Sequence, residues 1–206
     1  MIVIAIPSRG LMHSRTMNDI LNNLEGYNGD VQFVFSHGRP QPEAQNYITD
    51  EALALKPSHI LYIDDDMQIP PGVLMESLKK NADVVVAHYP CTHHGSDALH
   101  IRDNVFESAG LGWMLIKAHI FDKLTKPYFR TDVQYVWNGQ ELAEEPVREG
   151  QDRHGGQDVY FSQQLVKAAI TPAVIDTKLG QYSIINNPYR KYGNSTQLEV
   201  ENWILR

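Results

Sequence analysis

Three consecutive carboxylates, Asp64-Asp65-Asp66, close the run His59-Ile-Leu-Tyr-Ile63. Within it residues 60–63 are apolar and of strand length, so they read as a buried third strand delivering the acids to one end of a sheet. On an extended chain Asp64 and Asp66 share one face and Asp65 points the other way. Adjacent anions repel one another, and a cation relieves that cost. Carboxylate oxygens suit Mn²⁺ or Mg²⁺, which keep positions open for water and phosphate. The chemistry implied is binding of a nucleotide diphosphate through a divalent metal at Asp64 and Asp66, the metal acting as a Lewis acid on a departing diphosphate. A solvated acidic turn is the plainer alternative, but such a turn does not require three aspartates after a buried strand.

The elements that must position these acids alternate along the chain. Residues 2–6 form a continuous apolar run stopped by Pro7-Ser8-Arg9-Gly10. Residues 13–24 place Met17, Ile20, Leu21 and Leu24 on one helical face. A second strand over 31–35 ends in Ser36-His37-Gly38-Arg39-Pro40, and 43–55 carries Ala44, Tyr47, Ile48, Glu51 and Leu55 at helical spacing. Pro70-Pro71 suits the opening of a helix that runs to about Lys80, and 83–87 is a further strand. Four β-runs separated by helices predict an α/β fold, a central, mostly parallel, Rossmann-like sheet covered by helices on both faces. Ligands of such sheets bind at the carboxyl ends of the strands, which is where the aspartates fall.

Beyond residue 100 the pattern weakens. Residues 105–117 are β-like and broken by glycines, and a short helix is expected around 119–125. Residues 128–154 are polar, contain Trp137 and an acidic stretch, show no period and read as loop. Residues 156–170 are helical, with Val159, Leu165, Val166 and Ala169 as candidate buried positions. A short strand over 174–176 and an aromatic, polar tail from Tyr182 follow. No internal repeat or linker divides the chain, so 1–206 reads as a single domain.

Composition narrows the class. With 42% hydrophobic and 21% charged residues the chain is neither disordered nor fibrous. A net charge of −7 argues against a face built to neutralise many phosphates, while leaving room for a local basic groove and a nucleic-acid acceptor. One cysteine, Cys91, excludes an internal disulfide and a thiolate cage, and suits a reducing, cytoplasmic setting. The start of the chain lacks a signal-peptide pattern, and no apolar run approaches the roughly 18 residues of a membrane span.

On these residues the chain resembles the glycosyltransferase A fold (GT-A), in particular small family 2 glycosyltransferases. Asp64-Asp65-Asp66 sits where that family carries its D-x-D motif, and Pro70-Pro71-Gly72-Val73-Leu74 is similar to its proline-led helix. Residues 83–90, Asp-Val-Val-Val-Ala-His-Tyr-Pro, are similar to the strand and loop that follow. Glu107-Ser-Ala-Gly110-Leu-Gly112-Trp113 resembles the glycine-bearing acceptor-side segment, and Gly155-Gly156-Gln157-Asp158-Val159-Tyr160-Phe161 the G-E-D-x-x-F motif. The likeness covers residues 1–183 by pattern and order. It implies a nucleotide-sugar-binding half (1–100), an acceptor half (101–183) and a C-terminal tail (184–206). The implied reaction moves a sugar from a nucleotide-diphosphate sugar, a UDP-sugar in the first instance, to a hydroxyl acceptor with inversion. The alternatives are a degenerate binding module without turnover and a nucleotidyltransferase. The latter wants a glycine-rich, basic loop after the first strand, which Pro7-Ser8-Arg9-Gly10 matches poorly.

The resemblance also assigns residues. Asp158 becomes the general base that takes the acceptor's proton, and its place just inside a helix start favours the ionised form. Pro7, Ser8 and Arg9 fall where base and ribose bind, Arg9 being able to meet a phosphate bidentately. Gln45 and Asn46 fall where relatives carry a polar pair near the nucleotide, and Asp64 and Asp65 join them as donor contacts. Gly110 and Gly112 would allow close backbone approach or positive φ beneath the sugar, and Trp113 would stack on it or else be core. Two departures matter. Ser36-His37-Gly38 replaces an acidic residue after the second strand, and Gln181, a weak ligand, stands near the place of a metal-binding histidine. His88, Cys91, His93, His94 and His100 read as polar surface rather than a zinc cage, a histidine joining the aspartates' metal being the stronger option. Tyr189-Arg190-Lys191-Tyr192 would close over the diphosphate or hang loose, and the aromatic tail leaves a homodimer open.

Overall fold

The computed structural model describes residues 1–8, 10–90, 97–139, 142–147 and 156–182. It begins β1 (Ile2–Ser8), α1 (Ser14–Leu24), β2 (Val31–His37), α2 (Glu43–Ala54) and β3 (His59–Tyr62), in the expected order. β4 (Met67–Gln68), α3 (Val73–Lys79), β5 (Val84–Val86), β6 (Leu99–Arg102) and β7 (Val105–Ala109) follow. A 3₁₀ turn at Leu111–Trp113 leads to β8 (Met114–Lys117), and another at Ala118–Lys123 precedes β9 (Val133–Trp137) and β10 (Leu142–Pro146). α4 (Gln157–Lys167), β11 (Ala173–Val174) and β12 (Gly180–Gln181) end the described chain.

A six-stranded sheet in the order β11-β5-β8-β3-β1-β2 forms the centre. β2, β1 and β3 pair in parallel, as do β5 and β11, while β8 runs antiparallel between β3 and β5. The fold is therefore α/β, with a mixed and mostly parallel sheet flanked by helices. The fourth β-run of the first half does not join the other three directly, because β8 enters between them. Met114, Leu115 and Ile116 are all buried, and a run covered on both faces suits a central strand in either direction.

Alternate residues of each strand divide between two cores. Val3, Ala5, Ile60, Tyr62, Val84, Val86, Met114 and Ile116 cluster with Ile48 and Ala52 of α2 and Phe161 and Leu165 of α4. Ile2, Ile4, Ile6, Leu61, Val85 and Leu115 cluster with Ile20 of α1 and Val73 and Leu74 of α3. Tyr62 ties the first core together. Its hydroxyl shares a 2.6 Å hydrogen bond with Thr49, and its ring meets Phe129 edge-on at 5.9 Å. Phe129 in turn stacks on Phe161 at 4.8 Å. Such ring pairs contribute about 0.5–1.5 kcal/mol each beyond the area they bury. Residues from both halves of the chain thus share one core.

Several expected faces differ, and in α1 and α4 buried amides take places that periodicity reserves for apolar residues. Leu21 is exposed, whereas Asn23 is buried. Asn23 Nδ2 donates to the carbonyls of Asp19 and Pro70 at 2.9 Å, and its Oδ1 accepts from Leu74 N–H at 3.2 Å, joining α1 to the entry of α3. Val166 and Ala169 are exposed, whereas Gln163 and Gln164 are buried and donate to the carbonyls of Glu107 and Tyr128 at 2.7 and 2.9 Å. α3 starts at Val73 rather than at the prolines, because Gly72, with φ of 86°, turns the chain immediately before it. The stretch 128–154, expected as loop, contains the β9–β10 pair. Among the described residues no helix is long and apolar enough to cross a membrane.

Candidate functional site

The carboxyl ends of β1, β2 and β3 lie on one edge of the sheet, and a cavity of about 470 Å³ opens there. Pro7 and Ser8 come from the end of β1, Arg39, Pro40 and Gln41 from the loop after β2, and Ala44 from α2. Asp64, Asp65 and Asp66 follow β3, and Gln181 comes from β12. Ser8 is buried and shapes its own loop, its Oγ accepting from Gly10 N–H at 3.1 Å and donating to the carbonyl of Leu11 at 3.3 Å.

The chain does not stay extended through the aspartates. β3 ends at Tyr62, Asp65 and Asp66 form a turn, and all three aspartates line the cavity, so strand alternation does not sort them. Main-chain bonds fix that turn. His13 N–H donates to the carbonyl of Asp65 at 2.9 Å and Tyr182 N–H to that of Asp66 at 2.6 Å. His13 caps α1, its Nδ1 accepting from Arg15 N–H at 3.2 Å, and its ring stacks on Tyr182 with centroids 4.3 Å apart. Burial, helped by the Arg15 charge, lowers the His13 pKa, so the stacked ring is neutral at neutral pH. Tyr182 hydroxyl donates to Asp19 Oδ2 at 2.9 Å, and the same oxygen accepts from Ile69 N–H at 3.0 Å.

β12 reaches the site by pairing with β4, Gln181 lying opposite Met67. Its approach is anchored on α3. Glu76 Oε1 accepts from the N–H groups of Asp176 and Thr177 at 2.7 and 3.3 Å, and Oε2 accepts from the Thr177 hydroxyl at 2.5 Å.

Among the described residues no three His, Cys, Asp or Glu side chains come together as a group that could hold a metal ion. Mg²⁺ in particular is commonly held by one or two carboxylates with substrate phosphates and water completing its shell. Asp64, Asp65 and Asp66 all bring carboxylates to one cavity wall without forming a closed cage, so an ion held there would need phosphate and water to complete its shell.

Asp158 sits in the first turn of α4. Beside it, Gln157 Nε2 donates to Gln41 Oε1 at 2.8 Å, linking the start of α4 to the cavity wall. Asp158 itself does not line the cavity. Part of the residue reaches the surface, but its Oδ1 is sealed from solvent and has no hydrogen-bond partner. Burial pushes the carboxyl up to about 6, against the pull of the Gln157 amide and of Leu111 N–H, which donate to it. The helix start was expected to favour the ionised form of Asp158, and burial opposes it. A helix terminus contributes about 0.3–1 kcal/mol, whereas a rise from 3.8 to about 6 corresponds to about 3 kcal/mol. Asp158 remains mostly ionised at neutral pH, with a proton affinity better matched to a base.

Other expected residues have different roles. Gly110 and Gly112 do not have positive φ and do not face the cavity. They make room for Tyr89. A Cβ on Gly112 would meet Tyr89 Cζ at 2.7 Å and Met67 Sδ at 2.6 Å, and one on Gly110 would run into the Tyr89 hydroxyl. That hydroxyl accepts from Gly112 N–H at 2.9 Å. Trp113 is 1% exposed and its Nε1 donates to Ser77 Oγ at 3.0 Å, so it is core and does not offer a face to a sugar. Asn46 is bonded to the Phe129 backbone at both ends of its amide, at 2.9 and 3.1 Å, and Gln45 is buried in α2 away from the cavity lining. His88 pairs with Asp97 at 2.8 Å, His100 is exposed on β6, and neither lines the cavity. Arg9, Cys91, His93, His94 and residues 189–192 lie outside the described residues. Arg39, Pro40, Gln41 and Ala44 were not anticipated. The signal was available, since the rule that points to the carboxyl ends of strands applies to the loop after β2 as well.

No family model matches the chain, and no curated relative matches it. Among solved structures, the crystal structure of A197 from STIV is similar, with a TM-score of 0.58 and 18% identity over 88% of this chain and 82% of that one. At that identity the likeness shows a shared fold and carries nothing about chemistry.

Proposed function

We propose that this chain is a metal-dependent glycosyltransferase of the GT-A type, moving a sugar from a nucleotide-diphosphate sugar to a hydroxyl acceptor. The observation that carries the reading is the cavity at the carboxyl ends of β1, β2 and β3, with three aspartates of one turn on its wall. Pro7 and Ser8 would border the nucleoside, and Asp64 and Asp66 would hold a Mg²⁺ or Mn²⁺ ion. Such an ion, when bound, stabilises the charge of the departing diphosphate. The acceptor oxygen attacks the anomeric carbon, the bond from that carbon to the phosphate oxygen breaks, and Asp158 takes the acceptor's proton. The Gln157–Gln41 hydrogen bond supports this division of labour, because it couples the helix start bearing the base to the wall of the donor cavity. Leu111 N–H steadies the carboxylate that receives the proton.

The test is release of nucleoside diphosphate from a panel of nucleotide-sugars in Mn²⁺, with wild type, Asp66→Ala and Asp158→Asn. Turnover of one donor, lost in both variants, supports the reading. Binding of a nucleotide-sugar without release, in any acceptor mixture, identifies a degenerate module. Pyrophosphate release from a nucleoside triphosphate and a sugar phosphate identifies a nucleotidyltransferase.

A further inference from the structure

The loop after β2, Gly38-Arg39-Pro40-Gln41-Pro42, is built to hold one side chain in place. Gly38 turns with φ of 65°, and Pro40 confines the preceding residue, Arg39, towards extended backbone. The Arg39 guanidinium lies over the Tyr47 ring of α2, 4.1 Å from its centroid. That contact uses one face of the guanidinium plane and leaves the N–H donors around its edge. Among the described residues Arg39 has no ion-pair or hydrogen-bond partner, whereas Arg102 and Arg130 meet Glu107 and Asp132 at 2.7 Å.

Arg39 lines the aspartate cavity and also a shallower hollow of about 480 Å³ between α2 and residues 126–128. In that second hollow Lys126 is engaged by Asp50, and the Asn46 amide is bonded to the Phe129 backbone. Arg39 is therefore the cation with donors to spare where the two hollows meet. It is also the one Lys or Arg among the described residues lining the aspartate cavity.

We propose that Arg39 is the oxyanion-binding residue of this site, gripping a phosphate of the ligand where the two hollows join. The guanidinium fork matches two phosphate oxygens with paired N–H···O bonds, which an ammonium cannot reproduce. Charge balance makes the same demand. The aspartate wall repels a diphosphate, and a fixed cation on the β2 side of the cavity offsets that repulsion in addition to any ion on the aspartates. The Tyr47 stack and the proline-bounded loop reduce the freedom Arg39 loses on binding. The inference rests on reading the cavity as a nucleotide-diphosphate-sugar site, and it names the part of that ligand which Arg39 contacts.

The test is calorimetric titration of wild type, Arg39→Ala, Arg39→Lys and Tyr47→Leu in Mn²⁺. The probes are the nucleoside, monophosphate and diphosphate of uridine and of guanosine, and inorganic pyrophosphate. Arg39→Ala is expected to weaken the diphosphate and pyrophosphate by about tenfold to a hundredfold and to leave the nucleoside unchanged. Arg39→Lys recovers part of the loss, and Tyr47→Leu falls between wild type and Arg39→Ala. Arg39 is exposed, so its variants keep the wild-type melting profile. A diphosphate affinity unchanged in Arg39→Ala, or a loss equal for nucleoside and diphosphate, overturns the inference and leaves the nucleotide reading standing. Pyrophosphate binding through Arg39 with no nucleoside preference in wild type does the reverse, and wild type binding none of the probes overturns both.

Discussion

Replacing Asp158 with Asn removes a charge that burial disfavours while keeping the side-chain shape. The folded carboxyl titrates at about 6, against 3.8 when exposed, so ionising it inside the protein costs about 3 kcal/mol. Because the folded value is raised, the folded state holds this proton more tightly than the unfolded state does. The cost is absent below about pH 4 and grows as pH rises through about 6. Asn keeps an oxygen to accept from Leu111 N–H, but its Nδ2 would enter the sealed position of Oδ1, an uncompensated donor worth about 1–2 kcal/mol. The variant is therefore expected to be slightly less stable than wild type near pH 4 and more stable by about 1–2 kcal/mol near pH 8. Urea unfolding of both proteins across that range, taken as a difference, cancels every other titration and isolates this one. A difference that changes by about 3 kcal/mol confirms the buried carboxylate. A difference flat with pH refutes it, since it would mean that water reaches Asp158 freely. If Asp158 is the proposed base, the same variant should also lose turnover.

Gly112→Ala forces a methyl group against Met67 and Tyr89 and is expected to cost about 1–3 kcal/mol, read as a lower urea midpoint. Trp113→Phe removes the bond to Ser77 and leaves a void, costing about 1–3 kcal/mol, yet it should leave nucleotide affinity unchanged because Trp113 is core. Hydrogen bonds from the Thr177 hydroxyl and the N–H groups of Asp176 and Thr177 hold the Glu76 carboxyl below its usual 4.5. Its contribution is thus present above that value and lost as pH falls below it, so Glu76→Gln should flatten the acid limb of stability followed by circular dichroism.

Local patterning made the first half of the fold legible. The 2–6, 31–35 and 60–63 runs and the helices between them need only an apolar period and a stop signal, and Gly38, Pro40, Pro70 and Pro71 supply the stops. The direction of β8 was not legible, because Met114-Leu115-Ile116 has no polar face to mark orientation or neighbours. The β9–β10 pair was missed for a weaker reason. Asn138-Gly139, directly after the first of two short runs, is a turn signal that the surrounding polar residues obscured, and Gly139 has φ of 99°. Asn23, Gln163 and Gln164 look like surface residues in any periodicity count, and only their carbonyl partners from distant segments explain their burial. At the site, the three aspartates and Gln181 were legible from type and order, and they share one cavity. The roles of Gly110, Gly112 and Trp113 depend on Tyr89 and Ser77, residues about 20 to 40 positions away, so no local motif separates a sugar platform from a packed core. Arg39 was not legible, because one arginine in a polar loop does not differ in type from any surface cation.

The central claim is that the aspartate turn holds a nucleotide diphosphate through a divalent ion. It is tested most directly by thermal stability with UDP, GDP, CMP and dTDP, each in Mn²⁺ and in chelator, for wild type and Asp66→Ala. The account predicts that one nucleotide stabilises wild type only in Mn²⁺, by about 2.7 kcal/mol at about one hundred times its Kd, and that Asp66→Ala abolishes the effect. No stabilisation of the folded wild type by any nucleotide, or a stabilisation that persists in chelator and in Asp66→Ala, would contradict it.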